Sequence, residues 1–191
     1  MKRIVIAFLI FCLLIITGCN DYREIERGYL VNSIGISKTN QNATIYLEAQ
    51  TTSLTDKSLE KIILTNNGHD LNEAFKNLKS QLVKPLYFEQ MAVVVFDGPP
   101  VQADLAFLTN KLKINYGIYI VNSNNIKAIF EYDSPSSILG YDIITLIKNY
   151  EKENNESAHC RLFEVLKHKP VLPNVNLIQD TLTLSFTGER V

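Results

Sequence analysis

The segment MAVVVF, residues 91–96, constrains the fold of this chain more than any other stretch. An uninterrupted apolar run of this length, rich in β-branched valine, is typical of a strand that is buried on both of its faces. Gly98 and the two prolines that follow it end the run. Because burial on both faces needs cover on both sides, we predict a central strand in a sheet with helices over it.

Segments with strand periodicity lie on both sides of this run in the sequence. The segments 29–37 and 43–52 alternate apolar and other residues, and the loop KTNQN between them is suitable for a hairpin. In the second segment the alternation puts Glu48 on the side opposite to Ile45 and Leu47. Further strands are predicted at 61–65 and in the segments YGIYIVN, VLPNVNL and TLTLSFTG.

Helices are predicted between these strands from apolar residues at helical spacing. Asp70, with Glu73 three residues later, forms a capping-box pattern before the first helix. The last helix, AHCRLFEVLKH, puts Cys160 on one face with Phe163 and Leu166, so we interpret Cys160 as a small core residue. The other predicted stripes are Leu71, Ala74, Phe75, Leu78 and Leu82; Val101, Leu105, Leu108 and Leu112; the segment NIKAIFEY; and Ile138, Leu139, Ile143, Leu146, Ile147 and Tyr150, before a polar break at EKENNES. These elements predict a single α+β domain over residues 29–191, with a mixed β-sheet and helices packed against it.

The N-terminus has the layout of a secretion signal. Lys2 and Arg3 precede an apolar run over residues 4–16, which as a helix would reach about 20 Å. A bilayer core needs roughly 30 Å. The run is therefore too short for a permanent span and is typical of a cleaved signal. The residues that end it, ITGC at 16–19, resemble the lipobox of bacterial lipoproteins.

By that resemblance, Cys19 receives a diacylglyceryl thioether and cleavage falls between Gly18 and Cys19. Each buried methylene contributes about 0.8 kcal/mol, and two acyl chains hold a protein firmly where one holds it only marginally. We therefore expect a lipoprotein signal peptide at 1–18, a lipidated tether at 19–28, and attachment to a membrane through Cys19.

The sequence contains no recognisable set of catalytic residues. The nucleophile-elbow, dinucleotide and phosphate-loop motifs are absent. His69, His159 and His168 lack the spacing of a zinc site and are expected to be solvated, as are Glu131 and Asp133 before a proline. With a formal net charge of -1 and scattered basic residues, no nucleic-acid surface is expected. We therefore expect a protein that is not an enzyme and has no cofactor and no metal.

Five short motifs follow one another along the chain: GCNDYREI at 18–25, IGIS at 34–37, GHDLNEA at 68–74, LYFEQMAVVVF at 86–96, and Leu-Pro at 172–173 followed by LSFTGERV. In this order they resemble the Ger(x)C family, the C-subunit lipoproteins of nutrient germinant receptors in endospore-forming bacteria. The chain departs from the family pattern at Asn20, Gln90, Ala92 and Arg190, where relatives have Trp, His, Lys and Ala. Relatives continue with further domains, so the resemblance implies a truncated form that contains the N-terminal domain.

The resemblance implies a non-enzymatic lipoprotein on the outer face of the spore inner membrane. It would assemble there with integral-membrane A and B subunits into a receptor that starts germination in response to nutrients. Two alternatives come from other classes. One is a lipid-anchored solute-binding or other interaction protein, but the chain lacks the length expected of a two-lobed binding protein. The other is a small exported enzyme, for which the catalytic residues are missing.

Overall fold

The computed structural model describes residues 28–39, 41–52 and 58–186. The strands are β1 (Tyr29–Lys38), β2 (Ala43–Thr52), β3 (Leu59–Gly68), β4 (Leu86–Tyr87), β5 (Val93–Phe96), β6 (Tyr119–Asn122), β7 (Asn174–Ile178) and β8 (Thr181–Ser185). The helices are α1 (Leu71–Ser80), α2 (Gln102–Ala106), which continues into a π-helical turn (Phe107–Lys111), α3 (Ile126–Glu131), α4 (Leu139–Asn154) and α5 (Leu162–His168). The predicted signal peptide, lipobox and nearly all of the tether lie outside the described residues.

The strands of the described chain form one mixed sheet in the order β3-β2-β1-β5-β6-β7-β8, with β4 paired to β1. β1, β5, β6 and β7 run parallel to one another, whereas the pairs β1–β2, β2–β3 and β7–β8 are antiparallel. The predicted α+β class and mixed sheet with helices packed against it are confirmed. The hairpin between β1 and β2 is confirmed as well, and β3 is longer than the predicted strand at 61–65.

The centre of the sheet is buried on both faces, as the run at 91–96 indicated. All four residues of β5 and all four of β6 are buried. β1 is buried on both faces too, because α3 lies so close to it that a Cβ on Gly35 would be 2.6 Å from Ile126 Cγ2 and 2.7 Å from Phe130 Cε2. Glycine is needed at this position for the close approach of helix and strand.

Helix α1 begins as its sequence predicts, with one difference. The Asp70 side chain accepts a hydrogen bond from the Glu73 amide at 2.8 Å, while the Glu73 carboxylate accepts the amide hydrogen of His69 at 2.7 Å and not that of Asp70. The predicted apolar stripe is buried as far as Leu78, and Leu82 lies beyond the end of the helix at Ser80.

Helices α4 and α5 differ from their predictions at one end each. Helix α4 does not stop before EKENNES but continues to Asn154, where Asn155 adopts a left-handed conformation with φ of +50° and ends it. Helix α5 begins only at Leu162, so Cys160 precedes it and does not share a helical face with Phe163 and Leu166, which are exposed. The predicted core role of Cys160 is nevertheless confirmed, because Cys160 is only 1% exposed.

The stripe that was predicted to start at Val101 is buried only from Leu105 onwards. Val101 is 53% exposed and precedes α2, whereas Leu105, Leu108 and Leu112 are buried. The wider π-helical turn accounts for the Leu112 amide bonding to the Phe107 carbonyl at 3.1 Å. No helix among the described residues has the length and apolar character needed to cross a bilayer.

Candidate functional site

A cleft lies at the carboxyl ends of the neighbouring parallel strands β5 and β6. Its volume is about 830 Å³, within the range that small-molecule sites occupy. We call it the Asn122 cleft, after the last residue of β6. It is lined by Gly98, Pro99, Pro100, Val101, Gln102, Leu105, Asn122, Asn124, Val165, Leu166, Lys169, Pro170, Val171, Leu172 and Asn174. The carboxyl ends of parallel strands are the usual position for ligands in sheets of this kind.

The wall formed by the loop after β5 is held in a fixed shape. Gly98 turns the chain there with φ of +84°, a conformation that favours glycine, and Pro99 and Pro100 restrict the following residues. The buried carboxylate of Asp104 then accepts the Val101 amide hydrogen at 2.9 Å and a hydrogen from Lys38 Nζ at 2.6 Å. This pair of contacts ties the loop to the end of β1 and leaves the Val101 side chain exposed in the cleft.

The opposite wall is formed by α5 and the segment that follows it. Lys169 ends α5 in the left-handed conformation, with φ of +46°, and Pro170 prevents the helix from continuing. The next residues turn back towards β7, so that Val171 is 58% exposed while Leu172 is buried. The cleft is therefore mainly apolar, with polar groups from the strand ends and from Lys169.

Asn122 contributes a buried side-chain oxygen to this lining. Its residue is 9% exposed, and its Oδ1 atom is buried with no hydrogen-bond partner among the described residues. A buried polar atom without a partner costs about 1–3 kcal/mol, so such an atom at the wall of a cleft indicates a site for a ligand or an ordered water.

A second polar cluster lies inside the domain and is centred on Glu48 of β2. Glu48 is fully buried, although the alternation of its strand had placed it opposite to the core residues. Its carboxylate accepts hydrogens from Ser33 Oγ at 3.0 Å and from the backbone amide of Leu139 at 2.8 Å, and Lys61 Nζ lies 3.8 Å from Oε1. The sheet is covered on that face as well, so the side opposite to Ile45 is also interior.

The Glu48 carboxylate performs the function of a helix cap. Ile138, the residue before α4, has no side chain that can bond the first amides of the helix. Glu48 supplies the missing acceptor from a position 91 residues away in the chain, and its negative charge lies next to the positive end of the helix dipole. We interpret this cluster as structural, because it joins β1, β2 and α4 and because the Glu48 carboxylate is fully buried.

The Cys160 thiol has the properties of a core side chain. Burial, with smaller contributions from Glu151 and Glu164, raises the pKa of the thiol to about 12 from 9.0. A thiol with so high a pKa holds almost no thiolate at neutral pH, and the thiolate is the reactive form. This arrangement supports the interpretation of Cys160 as an inert residue of the core.

The two residues predicted to mark the anchor, Gly18 and Cys19, lie outside the described residues. The three histidines are exposed, and His159 Nδ1 lies 3.1 Å from the Glu164 carboxylate. Glu131 and Asp133 are exposed as predicted. Within residues 28–39, 41–52 and 58–186, no group of three or more His, Cys, Asp or Glu side chains is arranged to hold a metal ion.

Sequence reasoning missed the Asn122 cleft and the buried position of Glu48. Asn122 ends the apolar run of β6, and Gly98 comes two residues after the last residue of β5, so a polar residue and a glycine at the ends of two buried runs were the available signal. No comparable signal exists for Glu48, because strand periodicity cannot tell which of two faces is covered by helices.

The fold, a single mixed sheet with helices against it, and the cleft at its strand ends define a small α+β domain. Residues 21–173 match the family model described as the spore germination protein N-terminal domain. The chain belongs to this family, and the domain is the N-terminal domain of the Ger(x)C spore germination proteins. Searches of curated proteins and of solved structures gave no match.

Proposed function

We propose that this chain is the lipoprotein subunit of a nutrient germinant receptor and that it is required for spores to germinate in response to nutrients. The observation that carries the proposal is the family match over residues 21–173, which begins two residues after the lipobox cysteine. The protein is anchored through a diacylglyceryl group on Cys19 to the outer face of the spore inner membrane. Its partners there are the integral-membrane A and B subunits.

The role is that of a non-enzymatic binding subunit. The arrangement of the described residues supports it, because the buried cysteine is inert, the histidines are exposed and the buried carboxylate of Glu48 is used to cap a helix. Residues 19–28 form the lipidated tether and residues 29–191 form the receptor domain.

The receptor role is tested by germination. The coding region is deleted in a spore-forming host that lacks other receptors for the germinants used, and loss of spore refractility is followed after nutrient addition. We expect germination to fail and to be restored by the unaltered chain together with its A and B subunits. Normal germination of the deletion strain across the germinant panel would overturn the proposal.

The anchor is tested by the substitution Cys19→Ala, with Cys160→Ala as the matched control. Labelling with a radioactive fatty acid should be lost in Cys19→Ala, which should accumulate as the uncleaved precursor, whereas Cys160→Ala should be labelled and processed normally. Labelling of the Cys19→Ala protein would contradict the assignment of the lipid to Cys19.

The partnership is tested by affinity purification of the tagged chain from detergent-solubilised spore membranes. The A and B subunits should be recovered with the unaltered chain. Their absence, in a preparation where each is present in the solubilised membranes, would contradict the proposed complex.

A further inference from the structure

We propose that the Asn122 cleft is a binding site for a small carboxylate with an apolar body. The inference does not rest on the receptor role, since it is drawn from the lining of the cleft alone. Three properties of the lining define the chemistry of the ligand: its apolar walls, its charge and the side-chain amide of Asn122, whose Oδ1 atom has no partner among the described residues.

The walls of the cleft favour an apolar body. Val101 and Val171 are 53% and 58% exposed, and Leu166 is 38% exposed, so three large apolar side chains face the solvent around one concavity. Prolines 99, 100 and 170 add further apolar surface. Covering such a surface removes apolar area from water, which is the main driving force for binding in sites of this size.

The charge of the cleft favours an anion. Among the described residues that line the cleft, Lys169 is the one charged residue, and no acidic side chain accompanies it. Lys169 also has no ion pair among the described residues, in contrast to Lys38, whose Nζ lies 2.6 Å from Asp104. A lone cation at the edge of an apolar cleft attracts anionic ligands and disfavours cationic ones.

The side-chain amide of Asn122 can supply a hydrogen bond to the oxygens of such a ligand once it is rotated. The side chain is nine-tenths buried at the wall of the cleft, and its Oδ1 has no partner in the part of the chain that is described. The terminal torsion of asparagine is broad and roughly two-fold, so rotation of the amide exchanges the positions of its oxygen and its NH₂ group. The amide can therefore donate to one carboxylate oxygen while Lys169 neutralises the charge.

The test uses the full chain in a non-ionic detergent with 4-phenylbutyrate as the probe and 4-phenylbutyramide as its neutral isostere. Ligand-observed NMR titrations, corrected with detergent alone, give both dissociation constants. For a ligand of this size we expect a value on the order of 1 mM for the carboxylate. 4-Phenylbutyramide should bind about tenfold more weakly, because it lacks the charge that Lys169 recognises.

Two substitutions on one helical end separate a site from general attraction. Lys169→Gln should weaken the binding of 4-phenylbutyrate about tenfold and leave the binding of 4-phenylbutyramide unchanged. Lys167→Gln removes the same charge two residues away, outside the lining, and should leave both constants unchanged. Both residues are exposed, so neither substitution is expected to affect folding.

The substitution Asn122→Ser tests the amide, with circular dichroism to show that the variant is folded. This substitution should weaken the binding of 4-phenylbutyrate several-fold. The proposal is overturned if 4-phenylbutyrate and 4-phenylbutyramide bind with equal affinity, or if the folded unaltered chain binds neither of them. It is also overturned if Lys167→Gln and Lys169→Gln change the affinity for 4-phenylbutyrate equally.

Discussion

The removal of Glu48 is the most informative perturbation of this fold. The carboxylate accepts hydrogens from Ser33 Oγ at 3.0 Å and from the Leu139 amide at 2.8 Å, and it is fully buried. In Glu48→Ala both donors lose their acceptor inside the protein, and a cavity replaces the side chain. Lys61 is affected less, because its side chain is 24% exposed and Nζ also bonds the Tyr132 carbonyl at 3.3 Å.

The magnitude follows from these contacts. A buried donor left without its partner costs about 1–3 kcal/mol, two donors lose their acceptor in this variant, and the cavity left by the side chain adds to the loss. We therefore expect Glu48→Ala to lower the free energy of unfolding by about 3–5 kcal/mol, a large share of the total for a domain of this size. Glu48→Gln keeps the shape and one oxygen acceptor, while the Ser33 hydroxyl can accept from its NH₂ group, so we expect a loss of about 1–2 kcal/mol.

The assay is urea unfolding followed by far-ultraviolet circular dichroism, with Glu60→Ala and Glu60→Gln as matched controls. Glu60 is exposed on the edge strand β3, and its substitution should change the free energy of unfolding by less than about 0.5 kcal/mol. If Glu48→Ala and Glu60→Ala were equally stable, the Glu48 carboxylate would not cap α4, and our account of this helix would be wrong. The glutamine variant keeps the test informative if the alanine variant does not fold.

Three further predictions concern stability. Folding raises the pKa of the Cys160 thiol to about 12 from 9.0, so the unfolded chain loses this proton at lower pH than the folded chain does. The free energy of unfolding should therefore fall as the pH rises between these two values. This group contributes a fall of up to about 1.4 kcal/mol per pH unit. Urea midpoints at pH 8 and pH 10 should show a smaller loss in Cys160→Ala, and equal losses would contradict the cause. Gly35→Ala should cost about 1–3 kcal/mol because a Cβ there meets the side chains of α3, while Gly117→Ala, with one contact at 3.3 Å, should be close to neutral by thermal unfolding. Asp104→Asn should lower the free energy of unfolding by about 1–3 kcal/mol, because it removes the buried charge that pairs with Lys38. Asp97→Asn, at an exposed site, should have little effect. Equal effects of the two substitutions in chemical unfolding would refute this prediction.

Several elements of the fold were predictable because their signals are local. The apolar run ending at Phe96 indicated a strand buried on both faces, and the structure confirms a central strand. The capping residue Asp70 and the stripe that follows it fixed the start and the buried face of α1. Helix ends were less predictable, because the polar residues of the EKENNES segment do not show whether they form an exposed last turn or a loop.

The sequence by itself determined the class of the fold, its order of strands and helices along the chain, and the family to which the domain belongs. These follow from periodicity, from turn residues and from motifs that are contiguous in the chain. Only the tertiary structure decided which faces of the sheet are covered, and so it placed Glu48 inside and Val101 outside. It also brought Asn122 and Lys169 to one cleft. The physical reason is that burial and charge pairing depend on contacts between residues far apart in sequence, which no local pattern records.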